Sequence, residues 1–297
     1  MFAAALATAL FALSSVSARR SVDLLGSNRA SLLRILLAAA VLAGLAHTLG
    51  QGLRGPALGW FLVSGVIGFG ICDTAIFLAL PRLGAQLTSL MVQCLAAPVA
   101  VVAEWLWLDT RLGPAPLLAG LAILAGVLLA LYPDRRRQPA GQPPASALAL
   151  GVVAAVGQAL GAVLSRHGQQ LAATAGQPID GITVAYQRIL AGVGFIAAWW
   201  WWQQRLGPPE PVLDSSRLRR ATPWVVINSL SGPSLGVACY QWALGTAPTG
   251  LVLTVTALTP LAVIPISWAL EGERPTPRSV GGGIIAVAGV IALVLAR

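Results

Sequence analysis

The apolar residues of this chain fall into long runs that are separated by short polar, glycine- or proline-containing connections. A helix needs about 20 mostly apolar residues to cross a bilayer, and runs of this length recur from one end of the chain to the other. The pattern therefore predicts an all-α integral membrane fold of ten transmembrane helices. These helices are predicted at residues 2–18, 30–49, 57–80, 85–108, 114–132, 146–165, 182–202, 222–244, 249–270 and 279–296.

The first run, MFAAALATALFALSSVSARR, has two interpretations. Its apolar length and its small-residue tail are similar to those of a cleaved signal peptide, but no positively charged residue precedes the apolar stretch. We therefore predict a short first membrane helix and keep cleavage as the alternative.

The composition agrees with a membrane protein. Hydrophobic residues make up 57% of the 297 residues and charged residues only 10%, whereas an average soluble domain carries about 25% charged residues. So few charges cannot cover the surface of a soluble globule, but a surface that faces lipid needs no such covering. The net charge of +9 comes from arginines that are scattered among the connections, so nucleic acid is not predicted as a partner.

The same arginines predict an orientation in the membrane. Most of them lie in the connections after the first, third, fifth, seventh and ninth predicted helices, including the run Arg135–Arg137. The positive-inside rule places these connections in the cytoplasm. The 132–146 connection is then cytoplasmic, both termini lie outside, and the chain is a multi-pass protein of the cell (inner or plasma) membrane.

The two halves of the chain resemble each other in three places. LRILLAAA aligns with QRILAGVG and pairs Arg34 with Arg188, and CLAAPVAVVAEWLWLD aligns with ALTPLAVIPISWALEG and pairs Pro98 with Pro260. The third pair, AGLAILAGVLLAL and GGGIIAVAGVIALVL, follows in the same order. Three matches in one order indicate an ancestral duplication.

The duplication predicts two repeats, at residues 1–138 and 139–297, with five helices each. Because five is odd, the second repeat enters the membrane from the opposite side to the first. Such inverted repeats place a binding site near the bilayer midplane, between the two halves.

Over nearly its whole length the chain resembles the EamA-type permeases of the drug/metabolite transporter (DMT) superfamily. The residues that carry the resemblance are the arginine early in the second helix of each half, the segment PVAVVAEWLWLD, and the segment PLAVIPISWALEGERPTPRSVGGGIIAVAGVIAL. The resemblance implies ten helices in two five-helix repeats and the export or exchange of small metabolites. One departure is LDTRLGP in the first half, where the family usually has Gly-Glu-Arg.

Two carboxylates inside predicted helices are candidates for chemistry, and their depth separates them. Asp73 is about four residues past the middle of its helix, and charges this deep usually face a cavity or a partner. Because burial disfavours a charged carboxylate, Asp73 is a candidate for proton coupling; a structural partner of an arginine or hydroxyl is the alternative. Glu104 is about eight residues past the middle of the next helix, and we expect it near the headgroups, where it can stay solvated.

Other polar residues in the predicted helices could line a cavity. Gln86, Gln93 and Glu104 are spaced to share one face of the fourth helix, with Gln93 near mid-depth. Five further candidates for a solute or coupling cavity have interhelical hydrogen bonding as the alternative; they are Gln158, Asn228, Ser231, Tyr240 and Gln241.

The paired arginines and prolines suggest gating. The family resemblance suggests that Arg34 and Arg188 act on anionic groups or in gating, and snorkelling to the headgroups is the alternative. Pro98 and Pro260 are predicted to kink the fourth and ninth helices at matched depths, which fits movement around a fixed site.

The chain has no Walker-type loop, HExxH or GxSxG motif, and its two histidines, His47 and His167, lie near helix ends. We therefore predict no catalytic residue, no metal site, no cofactor and no enzyme. The predicted function is a secondary transporter that exports or exchanges a small metabolite or drug by alternating access, with protons as a candidate coupling ion. The alternatives are a lipid-linked carrier flippase and a non-transporting membrane scaffold. The predicted partners are the lipid bilayer and a small-molecule solute, and the chain is predicted to be a monomer or homodimer.

Overall fold

The computed structural model describes residues 1–109, 113–131, 144–206, 214–271 and 277–295, and these are helical nearly throughout. We number ten helical runs in chain order. Seven runs start and end as follows: α1 Phe2–Leu25, α2 Ser27–Thr48, α3 Leu58–Gly84, α4 Leu87–Leu108, α5 Pro114–Leu131, α6 Ala145–Thr174 and α7 Gly181–Leu206. The other three are α8, made of Ser215–Ser229, Leu230–Gly236 and Val237–Thr246, α9, made of Thr249–Thr256 and Thr259–Glu271, and α10, Pro277–Leu295.

Among the described residues, seven helices are long and apolar enough to cross a membrane, and they lie in α1, α2, α3, α4, α6, α7 and α9. The apolar stretches of α5 and α10 are shorter, at Pro114–Leu129 and Val280–Ala292. The protein is thus a multi-pass membrane protein. Ten complete crossings remain a prediction, and most of the 132–146 connection lies outside the described residues.

The first helix is longer than its apolar run predicts. It continues past residue 18 to Leu25, and only Gly26 separates it from α2. Val22 and Leu25 are buried against Phe77 of α3 and Val225 of α8, so packing extends the helix into a segment that looked like a connection. Gly26 has φ 84° and ψ 161°, a backbone conformation that glycine adopts without strain and that turns the chain sharply between the two helices.

The main helix contacts join the two halves of the chain. Helix α2 packs on α7 and α5 packs on α10. Helix α1 packs on α8 and α9, and in the same way α6 packs on α3 and α4. If first-half and second-half helices are exchanged in order, so that α1 becomes α6 and α3 becomes α8, this set of contacts maps onto itself.

Small residues allow the closest of these contacts. A Cβ on Gly161 of α6 would lie 3.0 Å from the Cα of Gly68 in α3, and one on Gly126 of α5 would lie 2.6 Å from the backbone N of Ala286 in α10. Membrane helices associate through such close backbone approach because lipid supplies no hydrophobic drive between them. Glycines therefore bring the helices together around the centre of the bundle.

Candidate functional site

A cavity of about 120 Å³ lies at the centre of the bundle. It is enclosed by residues of α1, α2, α3, α4, α6, α7 and α8, so both halves of the chain build it. Its lining is mixed: three charged side chains and several hydroxyls and amides share it with aromatic and aliphatic groups. The lining includes Phe11, Ser14, Arg34, Gly68, Phe69, Asp73, Phe77, Gln93, Gln158, Arg188, Gly232 and Tyr240.

Two buried arginines face this cavity, Arg34 from α2 and Arg188 from α7. They are 6% and 5% exposed, so both side chains are buried inside the protein. The snorkelling alternative therefore does not describe them, because a snorkelling side chain keeps its charged end in water. Each stands in the same position of its half, as the alignment of LRILLAAA with QRILAGVG predicts.

Arg34 is neutralised by an acid. Its Nη2 donates a hydrogen bond to Oδ2 of Asp73, on α3, and the two side chains form an ion pair with 7% and 14% exposure. The guanidinium also lies 4.8 Å from the ring centroid of Phe77, within the range of a cation–π contact. Asp73 is thus deep in the protein and has the arginine partner that the sequence left open.

Arg188 has no such partner among the residues that the structure describes. None of them accepts a hydrogen bond from its guanidinium, and its Nε is buried without a partner. The ring of Phe69 lies 5.4 Å from the guanidinium carbon. In the predicted alignment of the two halves, the position that corresponds to Asp73 is close to Val237, which cannot pair with a cation.

Glycines in two π-helical turns bring the backbone up to these arginines. One turn, Val66–Ile71, interrupts α3 and the other, Leu230–Gly236, interrupts α8. A Cβ on Gly68 would lie 2.6 Å from Nη2 of Arg188, and one on Gly232 would lie 3.5 Å from Nη1 of Arg34. Single π-turns inside helices occur frequently at functional sites, and here both third helices of the halves have one beside the cavity.

Six of the nine side chains predicted from the sequence line this cavity, and they come from six helices: Arg34, Asp73, Gln93, Gln158, Arg188 and Tyr240. Gln93 accepts a hydrogen bond of 3.4 Å from the hydroxyl of Thr256. The hydroxyl of Tyr240 is buried and makes no hydrogen bond to the described residues, while its ring packs edge-on against Phe11 at 5.9 Å.

Of the other three predicted side chains, two make hydrogen bonds to other helices. Asn228 accepts a 2.7 Å hydrogen bond from Ser14 of α1, Ser231 donates to the backbone of its own helix, and Gln241 accepts from Ser165 of α6 at 2.6 Å. Asn228 and Gln241 thus correspond to the interhelical hydrogen-bonding alternative, whereas the bond of Ser231 stays within its own helix. A polar side chain on a membrane helix satisfies both patterns equally well, and only the neighbouring helix decides between them.

The expectation for Glu104 is wrong. Its side chain is 2% exposed and is buried against other helices instead of solvated. Its carboxylate accepts hydrogen bonds from the backbone N–H groups of Thr249 at 3.0 Å and Gly250 at 3.2 Å, and it pairs with Arg166 at 2.8 Å. Depth along α4 misled the prediction because the amino end of α9 lies beside Glu104 and buries it.

The two predicted kinks differ. Pro98 lies in a stretch of helical backbone, and the break in this part of the chain is at Gly84, with φ 75° and ψ 168°. In α9 the helix is interrupted at Ala257 and Leu258, just before Pro260. The side chain of Gln86, the third member of the predicted polar face, lies outside what the structure describes.

Sequence reasoning missed the contribution of α1 to the cavity. Phe11, Ser14 and Ser15 line it, as do Thr88 and Ser89 of α4. The adjacent serines in ALSSVS were a usable signal. They looked close to a helix end only because α1 was predicted to stop at residue 18, whereas in the longer helix they lie near its middle.

Comparison with known proteins supports the fold. The family model described as "EamA-like transporter family" matches residues 1–132 and 145–295. No curated protein matches. A solved structure described as "Crystal structure of protein" superposes with a TM-score of 0.71 over 99% of this chain and 96% of its own, at 20% sequence identity.

Proposed function

Since this chain belongs to the EamA-like transporter family of the DMT superfamily, we propose that it is a secondary transporter that exports or exchanges a small metabolite or drug by alternating access. The central cavity is the observation that carries the proposal. It contains buried charges, which are costly at the centre of a membrane protein and usually face a cavity or a partner. Both halves of the chain contribute to it, as expected for a site between two repeats.

The proposed architecture is two inverted repeats, residues 1–138 and 139–297, with ten crossings in all and the 132–146 connection in the cytoplasm. Three features support the repeats. The helix contacts map onto themselves when the halves are exchanged, the third helix of each half has a π-helical turn, and the glycine of each turn approaches the arginine of the other half.

The proposed motion is a rocking of one half against the other around the cavity. Residues that break helices beside the cavity are the proposed points of bending: the π-turns at Val66–Ile71 and Leu230–Gly236, Gly84, and the turn before Pro260. Such turns lack a regular backbone hydrogen-bond pattern, so the adjoining segments can change direction at small cost. Pro98 is proposed to weaken α4, the helix of the first half that corresponds to α9.

Asp73 is the proposed coupling residue. Protonation of its carboxylate would end the ion pair with Arg34 and free a guanidinium that faces the cavity. A proton and a solute would then act on the same pair of side chains, Asp73 and Arg34, so the binding of one would change the affinity for the other. Gln93, Gln158, Tyr240 and Arg34 are proposed to contact the solute from four different helices, whereas Asn228, Ser231 and Gln241 support the cavity from behind.

Uptake into proteoliposomes tests this function. The purified protein is reconstituted and screened with radiolabelled amino acids, nucleosides, sugars, amines and organic acids, with and without a pH gradient. We expect saturable uptake of at least one class by the wild type and not by empty liposomes. If no solute moves under any gradient, the protein is not a transporter of this kind, and a flippase or scaffold role replaces the proposal.

Replacing Asp73 with Asn tests the coupling. The variant keeps the size and one acceptor oxygen for Arg34 but cannot ionise. We expect it to transport without a response to the pH gradient. A wild-type pH response in Asp73→Asn would exclude this carboxylate as the coupling group.

A further inference from the structure

Within the proposed transport function, we infer that the solute is a small organic monoanion whose carboxylate is bound by Arg188 and Tyr240. The starting observation is the imbalance of charge in the cavity. Of its three charged side chains, Arg34 and Asp73 neutralise each other, and Arg188 faces the same space without an acid. The cavity therefore has one net positive charge to offer.

The charge of Arg188 is costly where it is. Burying an ionised group without a partner is strongly unfavourable, and proteins normally pair such a group. Arg188 is 5% exposed, and among the described residues it forms neither an ion pair nor a hydrogen bond through its guanidinium. A ligand that supplies a carboxylate removes this cost, because arginine binds carboxylates through two parallel charge-assisted hydrogen bonds.

Tyr240 supplies a second contact to the same group. Its hydroxyl is buried, lines the same cavity, and makes no hydrogen bond to the residues that the structure describes. A guanidinium and a phenolic O–H are both donors, and a carboxylate accepts from both at once, whereas an ammonium group accepts from neither.

Size and lining restrict the rest of the solute. A cavity of about 150 Å³ holds one benzene molecule, so the cavity of about 120 Å³ takes a body of comparable or smaller size in this conformation. Phe11, Phe69 and Phe77 are among the lining residues and offer apolar surface to the body of the solute. A phosphate monoester brings a charge of about −1.5 to −2 and exceeds the single positive charge available.

Binding to the protein in lipid nanodiscs tests this inference without requiring transport. Isothermal titration calorimetry compares matched probes that differ only in the polar group: butyrate, butyramide and butylamine, and benzoate, benzamide and benzylamine. A hydrogen bond to a charged group contributes about 1.5–3 kcal/mol, so we expect the carboxylate to bind roughly tenfold or more tightly than its carboxamide. The ammonium compounds are expected to bind most weakly.

Four variants assign the preference to particular groups. Arg188→Gln is expected to reduce the carboxylate preference to about one, and Arg188→Lys to keep part of it. Gly68→Ala keeps the charge but would place a Cβ 2.6 Å from Nη2, so it moves the guanidinium and should also lower the preference. Asp73→Asn leaves Arg34 without its acid and should raise the carboxylate affinity. All four are checked for a monodisperse size-exclusion peak and wild-type helix content.

The results separate this inference from the proposed function. Equal or tighter binding of carboxamides or amines by the wild type, no binding of any probe, or an unchanged preference in Arg188→Gln overturns the inference, even if proteoliposomes accumulate other solutes. Carboxylate binding that depends on Arg188 supports the inference, even if no uptake is found, in which case the transport function is the proposal that fails.

Discussion

The contacts of the buried carboxylate of Glu104 hold the two halves of the chain together, and a substitution of this residue tests how much they stabilise the protein. Glu104→Ala removes four contacts at once: the ion pair with Arg166 at 2.8 Å and the hydrogen bonds from the Thr249 amide at 3.0 Å, the Thr249 hydroxyl at 3.2 Å and the Gly250 amide at 3.2 Å. Glu104 belongs to α4, Arg166 to α6, and Thr249 and Gly250 begin α9. The substitution therefore loosens three helices together.

The magnitude follows from what remains buried. Removing one member of a buried ion pair costs about 3–5 kcal/mol, because the other charge is left without its partner. Arg166 is 13% exposed and keeps hydrogen bonds to the carbonyls of Leu244 and Ala247, so the lower end of this range applies. The backbone amides of Thr249 and Gly250 also lose their acceptor. Because they contact the same carboxylate as Arg166, the free energies of these losses do not add in full. We expect the free energy of unfolding to fall by about 3 kcal/mol in Glu104→Ala.

Reversible unfolding in mixtures of SDS and a mild detergent, followed by far-ultraviolet circular dichroism, measures this change. The matched control is Asp23→Ala, which removes an ion pair to Arg19 at 3.1 Å whose partners are 34% and 49% exposed. Exposed pairs contribute about 0–1 kcal/mol, so the control should unfold almost as the wild type does. Glu104→Gln keeps an acceptor for the amides and should fall between the two. Equal stability of Glu104→Ala and Asp23→Ala would refute the reasoning.

Two further predictions concern packing and capping. A Cβ on Gly65 of α3 would clash with the backbone carbonyl of Arg188, whereas one on Gly59 of the same helix meets nothing within 4 Å. Gly65→Ala should therefore destabilise the protein by about 1–3 kcal/mol in the same unfolding assay. Gly59→Ala should be neutral or stabilise the protein by up to about 1 kcal/mol. A result of equal stability would show that α3 and α7 separate freely. The backbone N–H of Arg217 and the hydroxyl of Ser216 lower the pKa of Asp214, the residue that caps α8. The cap therefore stabilises the first turn above the ordinary pKa of an aspartate and is lost as the pH falls through the lowered value. Hydrogen exchange of that turn should accelerate over this acid range in the wild type and stay independent of pH, after correction for the intrinsic rate, in Asp214→Asn.

Much of the fold followed from the sequence because lipid restricts the possibilities. Apolar runs of fixed length must be helices, and the helical runs lie close to their predicted places. The exception at the end of α1 has a specific cause. Residues 19–25 are not apolar enough to be read as membrane-spanning, yet Val22 and Leu25 are covered by α3 and α8. Burial by a neighbour continues a helix that composition alone would end.

Only part of the cavity lining was predictable from the sequence, namely its charged side chains. Arg34, Asp73 and Arg188 were identifiable because an ionised group deep in a helix has few places to go other than a cavity or a partner. Asn228 and Gln241 were ambiguous because an amide is satisfied equally by a solute or by Ser14 and Ser165. Whether such an amide faces the cavity or a neighbouring helix depends on how each helix is rotated about its own axis. The sequence alone does not determine this rotation for helices that lie far apart in the chain.

The exchange of helix contacts between the halves has a consequence for how the protein is made. During synthesis α1, α2, α3 and α5 enter the membrane before α8, α7, α6 and α10, their main neighbours in the finished bundle, exist. The glycine-containing faces of the nascent first half and the carboxylate of Glu104 would thus lack their partners until Arg166 and α9 have been synthesised. The halves behave less like two domains joined by a tether than like two subunits of a dimer encoded in one chain. Separate expression of the halves should accordingly leave each of them short-lived, and co-expression should restore both.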